Sequence, residues 1–146
     1  MANYKKVLVA IDLLGSSDAV LSKAQGFVER SDEAYLVNVA FNPSYFASYV
    51  RAVAMLNETT EALQKEQESW AEEKIKHLQS TFSLEKAKIL VTAGKPEDVI
   101  LDHAKKMNAD LIIVGSHGQQ SVSLLLGSTA NSVLHRANCD VLTVRV

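Results

Sequence analysis

The chain has little of several features that mark particular classes of protein. Its 146 residues include one cysteine, Cys139, so a single chain can form neither an internal disulfide nor a zinc site built from several thiolates. Long apolar runs are also lacking. The run Val7–Ile11 ends at Asp12, which makes it too short for the core of a signal peptide or for a membrane-spanning helix. We therefore expect a cytoplasmic protein without a membrane segment.

An excess of charge of one sign is absent as well. Lysine and arginine number 15 against 17 for aspartate and glutamate, which gives a formal net charge of -2. This balance offers no electrostatic reason to expect nucleic acid or an anionic membrane as a partner. The composition, 47% hydrophobic and 22% charged, is typical of a globular protein, and the length suits one domain over residues 1–146.

Several motifs of known chemistry are missing. No Gly-x-x-x-x-Gly-Lys-Ser/Thr occurs and no Gly-x-Gly-x-x-Gly follows the first apolar run, so neither a standard phosphate-loop ATPase nor a dinucleotide oxidoreductase is supported. Gly-x-Ser-x-Gly is also absent, so Ser116 beside His117 does not indicate a hydrolase nucleophile. The remaining histidines, His77, His103 and His135, complete no recognisable metal-ligand spacing. We predict no metal site and no catalytic residue.

What the sequence does contain is a regular alternation of strand-like and helix-like segments. Five short runs rich in Val, Ile and Leu predict strands over Val7–Ile11, Tyr35–Phe41, Ile89–Val91, Leu111–Val114 and Val141–Val146. The first and fourth runs are apolar at every position, as expected of strands covered on both faces. The alternation predicts an α/β fold in which a parallel sheet lies between two layers of helices.

Four helices are expected between these strands. The first begins near Ser17, and the third begins at Pro96 after a turn at Gly94. The second opens at Asn57, and its apolar residues recur at helical spacing: Leu63, Trp70, Ala71, Ile75, Leu78 and Phe82. The fourth runs from about Leu125 to His135. The segment Asn42–Leu56 is not assigned.

Residues that follow the strands are the candidates for a binding site, because ligands of an open parallel sheet bind beyond the carboxyl ends of its strands. Gly115 and Gly118 follow the fourth strand and let backbone approach a ligand closely. Gly127, Ser128 and Thr129 add amides and hydroxyls near a helix start, where phosphate is stabilised. These two segments predict a phosphate cradle, although glycines at such places also serve plain turns.

Asp12 is the other polar residue that stands out, because a carboxylate directly after a buried strand needs donors to offset its burial. Two interpretations stay open for it. Asp12 either caps the helix that begins near Ser17 or contacts a ligand hydroxyl.

The motifs together resemble the universal stress protein family over essentially the whole chain. The resemblance is carried by Val-Leu-Val-Ala-Ile-Asp at 7–12, Gly-Lys-Pro at 94–96, Asp-Leu-Ile-Ile-Val-Gly-Ser-His-Gly at 110–118, Leu-Leu-Gly-Ser-Thr-Ala-Asn at 125–131 and the ending Cys-Asp-Val-Leu-Thr-Val. It implies a single three-layer, adenine-nucleotide-hydrolase-like (Rossmann-like) domain. Its five parallel strands would have the order 3-2-1-4-5.

The resemblance also implies a binding site for ATP or AMP, with Mg²⁺ accompanying the nucleotide. Asp12 and the backbone of Val39 and Ala40 would border adenine and ribose, with Gly94 and Lys95 nearby. The phosphates would be held by Gly115, His117, Gly118, Gly127, Ser128 and Thr129. Eight residues separate Gly118 from Gly127, one fewer than in the family's nucleotide-binding signature.

Three functions follow as alternatives. The first is a dimeric sensor or regulator of the stress response that binds an adenine nucleotide and acts through partner proteins. The second is a dimeric interaction scaffold with the same fold and no nucleotide, which the shorter loop favours. The third is a slow ATPase. A homodimer is expected through Val141–Val146, because this apolar strand would lie at the sheet edge with Arg145 as its single charge.

Overall fold

The computed structural model describes residues 3–13, 17–41, 60–116 and 126–146. These contain β1 (Lys6–Ala10), α1 (Asp18–Arg30), β2 (Glu33–Phe41), α2 (Thr60–Thr81), β3 (Lys88–Ala93), α3 (Pro96–Met107), β4 (Leu111–Gly115), α4 (Ser128–Arg136) and β5 (Asp140–Val144). Every strand pair is parallel, and the order across the sheet is β3-β2-β1-β4-β5. The predicted α/β fold and the strand order implied by the resemblance are both confirmed.

Helices cover both faces of the sheet. Val7 and Val9 of β1 pack in one apolar cluster with residues of α1 and α2, whereas Leu8 packs in a second cluster with residues of α3 and α4. All three side chains are fully buried. Because neighbouring side chains of a strand point to opposite faces, a strand has to be apolar wherever both faces are covered, as β1 is from Val7 to Ala10.

The predicted ends of all five strands differ from the observed ends by at most two residues, and two wrong element ends lie near the candidate site. β5 was expected over Val141–Val146 but spans Asp140–Val144, because Val144 is the partner of Gly115, the last residue of β4. The fourth helix begins at Ser128 instead of Leu125. Gly127 precedes it in an extended conformation (φ -61°, ψ 155°), and its N–H donates to the carbonyl of Ser116. Leu125, Asn57 and Asn42–Leu56 lie outside the described residues.

The apolar face of α2 is narrower than its sequence suggests. Leu63, Ala71 and Ile75 are buried, but Trp70 is 42% exposed, with the Lys74 ammonium 4.7 Å from its ring centroid. Neighbouring residues of a helix differ in direction by about 100°, so Trp70 turns away when Ala71 faces the sheet. Across the described residues, no helix has both the length and the apolar character needed to cross a bilayer.

His103 belongs to the packing of α3 against the sheet. Its ring meets the Tyr35 ring edge-on at 4.6 Å between centroids, and its Nε2 atom is buried without a hydrogen-bond partner. Burial, assisted by the nearby Lys106 ammonium, lowers the pKa of His103 below its usual value. The imidazole is therefore neutral at neutral pH.

Candidate functional site

The carboxyl ends of β1 and β4 meet at the point where the strand order reverses. The chain runs from β1 to β2 and β3 on one side and then returns to place β4 on the other side of β1. Val9 is paired with Ile113, so Asp12, three residues beyond Val9, lies near the end of β4 at Gly115 and Ser116. Such a switch point is where ligands of open α/β sheets bind.

Asp12 is linked to the start of α1 through its backbone. Ser17 occupies the N-cap position of α1, and its hydroxyl donates a hydrogen bond to the carbonyl of Asp12. The N-cap position suggested for Asp12 therefore belongs to Ser17. The carbonyl of Asp12 faces the helix start, and the residue stays at the carboxyl edge of the sheet.

Asn38 is a residue of this edge that the sequence analysis missed. It is 6% exposed within β2, and its side-chain amide donates to the carbonyl of Ile11 at 2.7 Å. The N–H of Ile11 donates to the carbonyl of Val37 at 2.8 Å, so β2 holds both polar groups of the residue before Asp12. The signal in the sequence is one amide within the otherwise apolar stretch Leu36–Phe41.

Val39 and Ala40, predicted to border adenine and ribose, lie at the end of β2. The register between β2 and β3 shifts between Val39 and Phe41, which marks an irregularity of the bulge type at Ala40. Bulges re-aim the backbone at the ends of strands and are frequent beside binding sites. The structure thus places both residues on the edge that carries Asp12.

Gly94 and Lys95 form the turn between β3 and α3. Gly94 has a φ of +138°, a conformation that favours glycine. Lys95 is the N-cap residue of α3 and Pro96 follows in its first turn, as predicted. The Lys95 ammonium lies 3.5 Å from a carboxylate oxygen of Glu97 and is well exposed, so a cation paired with a carboxylate stands at this edge.

The start of α4 is attached to the end of β4. The N–H of the buried Gly127 donates to the carbonyl of Ser116 at 2.7 Å, while its own carbonyl accepts from Asn131 at 2.9 Å. Ser128 is exposed and Thr129 half-buried in the first turn of α4, where amides and the helix dipole stabilise anions. The structure places Gly127 beside Ser116, the residue that follows Gly115. His117 and Gly118 lie outside the described residues.

Other features of the described residues lie elsewhere. No group of three or more His, Cys, Asp or Glu residues is arranged there to hold a metal ion. A groove of about 500 Å³ lies between α3 and the end of α4, lined by Asp98, Arg136 and Cys139 among others, and it contains none of the predicted site residues. Burial, with Asp140 and Asp110 adding to it, raises the pKa of the Cys139 thiol, so this thiol stays protonated at neutral pH.

The sheet order, the two helical layers and the glycine-bearing edge at the switch point define a three-layer, Rossmann-like α/β domain. The model of the Universal stress protein family matches residues 3–145, and the chain belongs to this family.

Individual relatives agree with this assignment. Universal stress protein A homolog 2 of Coxiella burnetii is 40% identical over 149 residues, which cover 100% of this chain and 98% of the relative. The structure of UspA from Lactobacillus plantarum is similar with a TM-score of 0.79 at 24% identity, covering 99% of this chain and 100% of that one. The structure of the universal stress protein from Archaeoglobus fulgidus in complex with dAMP has a TM-score of 0.56 at 22% identity, with 98% and 99% covered.

Proposed function

We propose that this universal stress protein binds an adenine nucleotide, ATP or AMP, at the carboxyl edge of its sheet. In this proposal the protein acts in the cytoplasm as a dimeric sensor or regulator of the stress response. It works through partner proteins and not as a dedicated enzyme. Mg²⁺ would accompany the phosphates, as expected for a cation that keeps most of its water ligands and takes phosphate oxygens.

The main support for the proposed nucleotide site is the hydrogen bond from the N–H of Gly127 to the carbonyl of Ser116. It joins the start of α4 to the strand end that carries Gly115, so the described residues of the two predicted cradle segments lie next to each other. Asp12 lies on the same edge, held by Ser17 and, through Ile11, by Asn38. The dAMP complex of the Archaeoglobus fulgidus relative supports an adenine nucleotide as the ligand class.

Titration calorimetry with ATP and AMP tests this site. Gly118→Val places a branched side chain where the backbone would approach the phosphates, and loss of a hydrogen bond to a charged group costs about 1.5–3 kcal/mol. We expect the affinity for ATP to fall at least about tenfold. Gly26→Ala, a glycine substitution in α1, serves as the matched control and should bind like the parent.

Two outcomes would contradict the proposal. Equal affinities of the parent and Gly118→Val would remove Gly118 from the site. A parent protein that gives no heat at millimolar ATP, and that carries no nucleotide mass in native mass spectrometry after purification, would leave the site without its ligand.

The proposed dimer rests on the free edge of β5. Within the described residues, β5 is hydrogen-bonded to β4 alone and ends the sheet. The side chains of Val141, Leu142 and Thr143 are half-buried, and the helix behind them carries Leu134 at 48% exposure. An apolar edge with unpaired backbone groups favours pairing with a second copy around a twofold axis.

Proline at the edge tests this interface. The carbonyl of Val144 accepts from the N–H of Ser116, so Val144 turns its polar backbone groups toward β4, and Thr143 turns its groups toward the free edge. Thr143→Pro should therefore weaken the dimer, whereas Thr143→Ser should leave it unchanged. Light scattering after size exclusion measures both, and a parent that is monomeric at tens of micromolar would refute the interface.

Slow ATP hydrolysis is compatible with this function, whereas rapid turnover is not. His117 and Asp12 are the candidates for a group that positions water or moves a proton at the phosphates. We expect phosphate release far below the median enzyme rate of about 10 per second. Several turnovers per second that His117→Ala abolishes would instead establish an ATPase.

The second candidate is a scaffold that dimerises and binds proteins without nucleotide. The observation in its favour is the spacing of eight residues between Gly118 and Gly127, one fewer than in the nucleotide-binding signature. Nucleotide-free protein that still forms a stable dimer would support it.

A further inference from the structure

Ser116 joins three segments of the chain at the end of β4. Its N–H donates to the carbonyl of Val144 at 2.7 Å, and its carbonyl accepts from Gly127 at 2.7 Å. Its hydroxyl accepts from the N–H of Val146 at 3.2 Å. Ser116 is 9% exposed and is one of four buried polar residues among those described. The residue that anchors Gly127 is therefore also bonded to the residues that follow β5.

The bond to Val146 is the one of these three that depends on the side chain of Ser116. Val146 lies beyond the last residue of β5 and is exposed, so neither strand pairing nor burial fixes its position. The Ser116 hydroxyl thus ties residues 145–146 to the strand end from which Gly127 is held. Loss of this bond would free those residues and loosen the surroundings of the Ser116–Gly127 bond.

We propose that Ser116 is a positioning residue for the phosphate turn, by which we mean Gly127, Ser128 and Thr129 at the start of α4. The carbonyl of Ser116 holds Gly127, and its hydroxyl, by bonding Val146, steadies the strand end from which that carbonyl acts. Ser116 thereby sets the affinity for the phosphate groups of a nucleotide but not for its nucleoside part. This inference rests on the proposed nucleotide site and adds to it a residue that acts through Gly127. In this proposal residues 145–146, which follow β5, contribute to phosphate binding by supporting the position of Ser116.

The test removes the same hydrogen bond from each side. Ser116→Ala removes the acceptor, and Val146→Pro removes the donor while keeping the chain length. Val146→Ala keeps the N–H and is the matched control. Calorimetry with ATP and with adenosine separates the phosphate-dependent part of the affinity from the rest.

We expect each of the two variants to bind ATP about threefold to tenfold more weakly, the range for one neutral hydrogen bond, and to bind adenosine like the parent. Because both remove one bond, the double variant should be no weaker than either single variant. The Gly127 amide should also exchange its hydrogen faster in both variants without nucleotide, and Val146→Ala should match the parent in every measurement.

Several results would overturn the proposal. Equal losses for ATP and adenosine would indicate a general effect on stability, and additive losses would show that Ser116 and Val146 act separately. Unchanged ATP affinity would remove the positioning role. A parent that binds neither ligand would refute the proposed nucleotide site and the affinity effect with it. Hydrogen exchange at the Gly127 amide would still show whether the bond between Ser116 and Val146 helps to hold the start of α4.

Discussion

Among the glycines that the structure describes, Gly94 is the one whose backbone conformation least accommodates a side chain. Its φ of +138° lies in a region that side-chain-bearing residues rarely adopt. A Cβ added there would lie 3.1 Å from the Cγ2 atom of Val99, closer than ordinary van der Waals contact. Gly94→Ala therefore combines backbone strain with crowding in the first turns of α3.

The backbone strain and the close contact with Val99 together determine how much stability Gly94→Ala should lose. Residues held in such backbone regions cost about 1–3 kcal/mol, so Gly94→Ala should lower the free energy of unfolding by about 2 kcal/mol. At roughly 3 °C per kcal/mol for a domain of this size, the melting temperature should fall by about 6 °C. Because the strain acts on the turn that carries Lys95, the affinity for ATP should fall as well if the proposed site is correct.

Gly26→Ala provides the control with the opposite sign. Gly26 lies within α1, and a Cβ there would meet only the end of the Arg30 side chain at 3.7 Å. Alanine in place of glycine inside a helix stabilises by about 0.5–1 kcal/mol. Urea titrations should move the two midpoints in opposite directions at an unchanged m-value. A Gly94→Ala protein as stable as the parent would refute the reasoning.

Three further predictions concern the packing. Burial lowers the pKa of His103 in the folded protein, so below about pH 6.5 the unfolded chain takes up the proton more readily and the free energy of unfolding falls as the pH falls. Thermal melts between pH 7 and 5 should show a smaller drop in melting temperature for His103→Phe than for the parent. Asn38→Leu leaves the carbonyl of Ile11 without its amide donor and should cost about 1–3 kcal/mol in urea titrations, whereas an effect near zero would show that the bond is replaced. The half-exposed pair Asp98–Arg136, at 3.0 Å, should show a coupling energy below about 1 kcal/mol in a double-mutant cycle.

The fold could be predicted because its strands and crossovers obey simple periodicities. The continuous apolar runs at Val7–Ile11 and Leu111–Val114 indicated strands covered on both faces, and these are the central strand β1 and its neighbour β4. Periodicity was less reliable for side chains at the margin of a helical face. Trp70 follows the spacing of α2 but is turned outward by the burial of Ala71.

The start of α4 shows what local patterns cannot supply. Leu125 and Leu126 continue an apolar pattern into the helix, which moved the predicted start three residues too early. The actual start is fixed by a bond from Gly127 to Ser116, which is eleven residues away in the chain and directly follows β4. A tertiary hydrogen bond of this kind leaves no periodic signal in the sequence.

Buried polar residues give a physical reason to regard the carboxyl edge as preorganised. Of the four among the described residues, three lie at this edge: the side chain of Ser17 bonds the backbone of Asp12, that of Asn38 the backbone of Ile11, and that of Ser116 the backbone of Val146. Burying such groups is costly unless they are hydrogen-bonded, so an apolar side chain would be the simpler choice where only packing mattered. The side chains of Ser17 and Asn38 fix backbone at or next to Asp12, a predicted ligand contact, and the carbonyl of Ser116 bonds Gly127.

This arrangement also bears on the shorter spacing between Gly118 and Gly127. If loop length alone positioned Gly127, one residue fewer would shift the start of α4 by up to about 3.5 Å, more than the tolerance of a hydrogen bond. Gly127 is instead held by the carbonyl of Ser116, whose own N–H is bonded to Val144 in the sheet. Its place is thus set by β4 and β5, and the count of residues before it does not decide where the first amides of α4 lie. The eight-residue spacing is therefore compatible with a phosphate site. For this reason we favour the proposed nucleotide-binding function over the proposed scaffold function.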